Sequence, residues 1–240
     1  MYVTGVDGCR GGWVAVSLEA PGPEPLPRRP GWLVSVRVRG TLAELLDEEP
    51  ASVVGIDMPL GLLDSGWRTA DRAAGALLGP RRSSVFAIPP RAVWAEASYP
   101  DAGRRCRELT GQGFSIQAWG RRTKLLEAND YRETCGHPLY EVHPELAFGA
   151  MAGAPLAASK HTAAGRELRR HLLARAGITL PPAPSASTAS TARSPAAPLT
   201  DTLDAAAVAW SAWRIATGQA AVVPDHPQQD PGGREIAIRY

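Results

Sequence analysis

Val3–Val16, V-T-G-V-D-G-C-R-G-G-W-V-A-V, is the stretch from which the rest of the chain is read. Two runs of β-forming apolar residues flank Gly8, Gly11 and Gly12, the pattern of a hairpin whose turn needs backbone freedom. Asp7 stands where the first run gives way to the turn. If that strand is central, a carboxylate at its end must be paired, metal-bound or solvated in a cleft, because burying an unpaired charge is costly. Asp before Gly is also ordinary turn chemistry, so Asp7 acquires meaning only if the chain supplies partners for it.

The 240 residues are 44% hydrophobic, ample for a substantial core. A formal charge of +2 is too mild to announce a polyanion partner. The basic residues are nearly all arginine, with Lys124 and Lys160 the two lysines, so arginine abundance reads as composition rather than phosphate binding. Cys9, Cys106 and Cys135 form no CxxC pair and are odd in number, which argues against a disulfide framework and for a reducing compartment. The N-terminus runs straight into a strand and no stretch of some 18 apolar residues occurs, so the expectation is a cytoplasmic protein without a membrane span.

Ala20–Pro30 is crowded with Pro and charge and reads as a surface loop. Trp32–Val38 alternates as a third strand. T-L-A-E from Thr41 has the capping-box pattern of a short helix ending before Pro50. Ser52–Ile56 is a buried-type fourth strand that ends in Asp57, a second carboxylate at a strand end. Residues 62–136 are too many for a simple crossover and hold several helix signals, including Arg121–Asn129; they predict a helical insertion. Leu139–His143 resumes a strand, with Glu141 inside it. Arg166–Ala176 predicts a basic amphipathic helix, and Pro181–Pro198, without apolar periodicity, a flexible loop. Thr200–Thr217 is the clearest helix: Thr200 at the cap, an alanine-rich body, Gly218 after it. Asp201 and Asp204, three apart, share one face of its first turn. Glu235–Tyr240 alternates as an edge strand. The whole is read as one domain over residues 1–240.

Asp7, Asp57 and the Asp201/Asp204 pair thus sit at the ends of three separate elements, with Glu141 a further contributor. If these elements meet, like charges at short range force protonation or loss of stability unless a cation intervenes. Mg²⁺ or Mn²⁺ resolves the conflict, taking hard carboxylate oxygens and leaving positions for water and phosphate. Two such ions activate a water on one side of a phosphodiester and stabilise the leaving oxygen on the other.

At this level the motifs G-V-D-G-C-R-G-G-W-V-A-V, G-I-D-M-P-L-G, R-R-S-S-V-F-A-I-P-P-R-A-V, Y-E-V-H-P-E-L-A-F and T-D-T-L-D-A-A-A-V-A-W, in that order, resemble the signatures of the DUF429 family of predicted ribonuclease H-like nucleases. The resemblance implies a ribonuclease H-like α/β fold, with a mixed sheet flanked by helices and a helical insertion between the fourth and fifth strands. It further implies that Asp7, Asp57 and Asp201 or Asp204 are metal ligands and that nucleic acid or another phosphoester is the substrate. The family pattern is often written with two adjacent acids before the leucine, where this chain has Thr200-Asp201-Thr202, so the choice between Asp201 and Asp204 stays open. Glu141 is a ligand, a supporting group or the partner of an arginine.

Arg81, Arg82, Ser83, Ser84 and Arg91 are candidate phosphate binders, against the alternative of a solvated basic loop. Gln117, Lys124 and Glu127 share one helix or its approach, and Lys124 is either a site residue or half of a surface salt bridge with Glu127 or another acid. His143 before Pro144 is a candidate base or metal neighbour, or a structural histidine. Cys135, His137 and His143 lack standard zinc spacing, and Cys9 has no adjacent base to make it a nucleophile. The glycine-rich turn lacks G-K-[ST] and does not match G-x-G-x-x-G. The expected function is therefore a Mg²⁺- or Mn²⁺-dependent nuclease or phosphodiesterase. An actin-like phosphotransferase and a non-catalytic binding module with the same fold are the alternatives.

Overall fold

The structure, a computed structural model, describes residues 1–20, 31–48, 51–182 and 197–240. β1 (Tyr2–Cys9) and β2 (Gly12–Glu19) form the expected hairpin, paired from Tyr2 with Glu19 to Cys9 with Gly12. The turn is the dipeptide Arg10-Gly11, and Gly11 takes φ +83°, a conformation that glycine adopts without a Cβ penalty. β3 (Leu33–Arg39) continues the meander, and α1 (Leu42–Leu46) is capped reciprocally by Thr41 and Glu44, as T-L-A-E predicts. β4 (Val53–Ile56) returns parallel to β1.

Between β4 and β5 (Leu139–Glu141) the chain forms five helices: α2 (Thr69–Leu78), α3 (Arg91–Trp94), α4 (Tyr99–Thr110), α5 (Ile116–Trp119) and α6 (Arg122–Thr134). A 3₁₀ segment, Gly79–Ser84, follows α2. β5 is shorter than the alternation predicts, because Pro144 opens α7 (Pro144–Ala152) and His143 becomes its N-cap residue. α8 (Ala163–Arg175) begins three residues earlier than its apolar pattern suggests, with the Thr162 hydroxyl accepting from the Gly165 N–H at 3.0 Å. α9 (Leu199–Ala216) also begins early: Pro198 is its N-cap and Thr200 lies inside the first turn, a correction to the expected start. The predicted Pro181–Pro198 loop lies mostly outside the described residues.

The sheet order is β3-β2-β1-β4-β5, with β1, β2 and β3 antiparallel and β4 and β5 parallel to β1. This mixed five-stranded sheet flanked by helices is the ribonuclease H-like α/β architecture expected. The C-terminal strand pairs in a hairpin of its own, β6 (Val222–Gln229) with β7 (Glu235–Arg239), joined to the main sheet by one bridge from Arg239 to Val142. No helix among the described residues is long and apolar enough to cross a membrane.

Strand alternation sorts the core into two layers. Val3, Val14, Val16, Leu18 and Val53 face α9, on which α7 and α8 pack. Val6, Ala15, Val54 and Ile56 face the other way, onto α1 and α6 through Leu42, Leu45, Leu125 and Ala128. Gly5 and Gly55 are the points where α9 meets the sheet. A Cβ on Gly5 would fall 2.0 Å from the Ala209 nitrogen and 2.3 Å from the Ala205 oxygen, and one on Gly55 would fall 2.9 Å from Val208 Cγ1.

Candidate active site

With side chains alternating, Asp7 faces the same side as Gly5, two residues before it, and Asp57 the same side as Gly55. On α9, Asp201 precedes Ala205 and Asp204 precedes Val208 by four residues, one helical turn. Two strand residues advance about 6.6 Å and four helical residues about 6 Å, so the two rows keep step. The acids therefore lie together at one end of the contact between α9 and the sheet. Asp7 and Asp57 follow residues paired across the parallel strands, Val6 and Ile56, and the Asp57 N–H donates to the Val6 carbonyl at 2.8 Å.

Asp7 is 5% exposed, and its carboxylate accepts no hydrogen bond from a described residue. Burial pushes its pKa well above the ordinary 3.8, and Asp57, Asp204 and Asp201 add to the rise while Lys160 opposes it. Asp204, 1% exposed, is pushed up to about 6, chiefly by burial; Lys160 pulls against this, and Asp57 and Glu145 add to it. Asp201 is raised as well, first by burial, with Thr200, whose hydroxyl donates to its carboxylate at 3.1 Å, Lys160 and Arg121 opposing. The Lys160 ammonium donates to Asp204 Oδ2. Burial works against that charge, yet Asp204, Asp57 and Asp7 together hold the lysine above its usual value.

Glu141 lies elsewhere on the sheet. Its Oε2 accepts from Arg68 Nη2 at 2.5 Å and from the Leu60 N–H at 2.8 Å, and Arg68 also reaches Asp71 Oδ1 at 3.4 Å. Asp71 in turn accepts from the Ile88 N–H at 2.9 Å. Burial pushes Glu141 up to about 7, with the Arg68 guanidinium pulling it down. This buried network joins β5 to the helical segment and gives Glu141 an arginine partner. A second network holds Glu145, whose two oxygens accept from Arg169 Nη2 at 2.7 and 2.8 Å.

The basic candidates divide. Arg81 donates to the Ala158 carbonyl at 3.2 Å and lies 3.8 Å from Glu145. Arg82 and Ser83 are exposed, Ser84 Oγ donates to the Arg81 carbonyl at 2.9 Å, and Arg91 is near Asp64 on the surface at 3.5 Å. His143 Nε2 lies 3.3 Å from the Ser84 carbonyl, which requires the Nε2–H tautomer, and its buried Nδ1 has no partner among the described residues. Lys124 packs against Gly8, donates to the Gly12 carbonyl and sits 4.5 Å above the Trp13 ring. Glu127 does not pair with it; it accepts from Trp13 Nε1 at 2.9 Å and the Leu42 N–H at 2.7 Å, tying α6 to the hairpin and α1. Gln117 is exposed.

A cavity of about 90 Å³ opens beside the acids on the Asp57 side, with Ser84, Phe86, Arg121, His143 and Lys160 in its lining. Lys160, Arg121, Arg68 and Arg169 are the residues of this region that sequence reasoning passes over. Lys160 carried a signal, as one of two lysines in an arginine-rich chain.

A family described as "Protein of unknown function (DUF429)" matches residues 5–229. The chain belongs to the DUF429 family. Residues 5–229 include all four aspartates and the motifs that carry the resemblance. No curated protein matches the chain. Among solved structures, this DUF429 member is similar to "Thermus thermophilus RuvC structure" at 16% identity and TM-score 0.39, covering 91% of this chain and 98% of that one. It is similar in the same measure to "T. thermophilus RuvC in complex with Holliday junction substrate", at 16% identity and TM-score 0.39, covering 91% of this chain and 97% of that one.

Proposed function

We propose that this DUF429 protein is a Mg²⁺- or Mn²⁺-dependent nuclease or phosphodiesterase with Asp7, Asp57, Asp204 and Asp201 as its metal-holding residues. The observation that carries the reading is the Asp7 carboxylate: buried, without a hydrogen-bond donor among the described residues, and facing Asp57 and Asp204. A buried charge of this kind persists only if neutralised by a proton or by a cation. The donor set is all carboxylate oxygen, the chemistry of a hard divalent ion. Among the described residues no three His, Cys, Asp or Glu side chains already form a metal-holding group; the Lys160 ammonium is on Asp204, where an incoming ion must compete with it.

Bound there, a divalent ion would supply an activated water and neutralise charge developing on the phosphoester. The chain's own contributions follow from placement. Asp7 presents its carboxylate from β1 and Asp57 from the residue just after β4, α9 holds Asp204 near them, and Lys160 and Arg121 supply positive charge at the rim for a phosphate. The three described cysteines are free, in keeping with a reducing, cytoplasmic setting.

The test is incubation of purified protein with Mn²⁺ and single-stranded, duplex, hybrid and branched nucleic acids. Cleavage that falls by two orders of magnitude or more in Asp7→Asn and Asp204→Asn is expected; removing one ligand leaves the charge neutralisation incomplete. Failure to cut any of these substrates, or equal cutting by Asp7→Asn, overturns the reading.

A further inference from the structure

The cavity beside the acids has two chemically distinct sides. Asp57, Lys160 and Arg121 stand on the side nearest the acid cluster, and Met58, Ile88 and Leu125 form an apolar floor. The other acids in the lining are already matched: Glu141 and Asp71 by Arg68, Glu145 by Arg169. Arg121 forms no ion pair with a described residue; its guanidinium lies 5.3 Å from the centroid of the Phe86 ring, also in the lining. A site for phosphate alone needs no apolar floor, and a continuous backbone track needs cations in a row rather than a cavity. Apolar walls, an aromatic ring, a guanidinium over that ring and a cationic rim together match a planar heteroaromatic group attached to a phosphate.

We propose that this cavity is a nucleobase subsite, taking the base of the nucleotide next to the phosphate that faces Asp7, Asp57 and Asp204. The assignment deepens the phosphodiesterase reading and rests on it for where the phosphate lies. Phe86 and Arg121 supply the flat surface, while Lys160 and Arg121 face the phosphate. The substrate is thereby a nucleotide with its base unstacked, a strand end or a single-stranded position, rather than a fully paired duplex, because a base in a duplex is not free to enter a cavity.

The test compares binding of a nucleoside 5′-monophosphate, ribose 5-phosphate and inorganic phosphate to the full chain by calorimetry, once in EDTA and once in Mg²⁺. The expected result is a nucleotide bound at least about fivefold more tightly than ribose 5-phosphate in one or both buffers, the lower end of what base stacking on a side chain contributes. Phe86→Leu, which keeps apolar bulk but removes the ring face, should abolish that preference without changing ribose 5-phosphate affinity or the thermal midpoint. Arg121→Ala should weaken both ligands. Equal affinity for nucleotide and ribose 5-phosphate in both buffers, or a preference intact in Phe86→Leu, overturns the subsite. Because the readout is binding, a protein that prefers nucleotides but cuts nothing with Mn²⁺ keeps the subsite and loses the hydrolytic reading; one that cuts in an Asp7-dependent way without base preference does the reverse.

Discussion

Gly5 of β1 and Ala209 of α9 meet backbone to backbone, with only 2.0 Å between the Ala209 nitrogen and the place where a Gly5 Cβ would stand. This approach lets α9 lie directly on the sheet and brings Asp204 down to the level of Asp7. Gly5→Ala should cost about 3 kcal/mol or more, at the upper end of overpacking, since the obstructing atoms are helix backbone and cannot rotate away. Gly55→Ala meets the Val208 side chain at 2.9 Å and should cost less. Urea denaturation of the two variants tests the order; Gly5→Ala as stable as the parent contradicts the packing.

Asp204 sets a pH dependence. Its folded pKa of about 6 lies above the ordinary 3.8, so it holds its proton more tightly when folded. Its contribution favours the folded state below about pH 4 and is lost as pH rises through about 6. Asp7 is shifted in the same direction. Asp204→Asn, which stays neutral, should therefore gain on the parent between pH 4 and 7, reaching about 2–3 kcal/mol. Stability curves at pH 4, 5, 6 and 7 without metal check this, and a constant difference across the series speaks against a strained carboxylate. Addition of Mn²⁺ at pH 7 should narrow the gap by stabilising the parent.

Lys160 should compete with the metal. Lys160→Met removes the ammonium from Asp204 and is expected to raise Mn²⁺ affinity by about tenfold, about 1.4 kcal/mol, while lowering turnover through loss of positive charge beside the phosphate. Calorimetric titration with Mn²⁺ measures the first effect. Unchanged or weaker metal binding means that Lys160 supports the acids rather than contending for them.

The Arg68–Glu141 pair should be a stability element. Arg68→Met leaves Glu141 and Asp71 buried without their cation and should cost about 3–5 kcal/mol. Glu141→Gln should destabilise the protein while leaving Mn²⁺ affinity near the parent value, because Glu141 is engaged by Arg68 and Leu60. A large loss of Mn²⁺ affinity in Glu141→Gln would return Glu141 to the ligand set.

Features governed by neighbouring residues were legible in the chain itself: the glycine turn of the hairpin, the Thr41 capping box, the strand leading to Asp57 and the body of α9. Where local signals conflict, the chain alone does not reveal the element. Residues 224 and 227, Pro224 and the His226-Pro227 step, interrupt the alternation of β6, a strand paired among the described residues with β7 alone and whose register shifts between Val223 and Gln228, so it does not read as a strand. Pro198 starts α9 although Thr200 offers the better capping side chain, because Pro preceding the first turn sacrifices no helical hydrogen bond.

The sequence by itself determined that Asp7 and Asp57 stand at strand ends and that Asp201 and Asp204 share one face of a helical turn. It did not determine which charge answers which. Lys160 lies 44 residues from Asp204 and Arg68 lies 73 from Glu141, separations that no local periodicity reports. Only the tertiary structure, by seating α9 on Gly5 and Gly55, sets the helical and strand repeats in step and brings four separate aspartates to one end of the contact between α9 and the sheet, with Asp57 lining the cavity there. The reason is physical: the backbone approach that permits this depends on two missing side chains, whose effect appears only when helix and sheet are brought together.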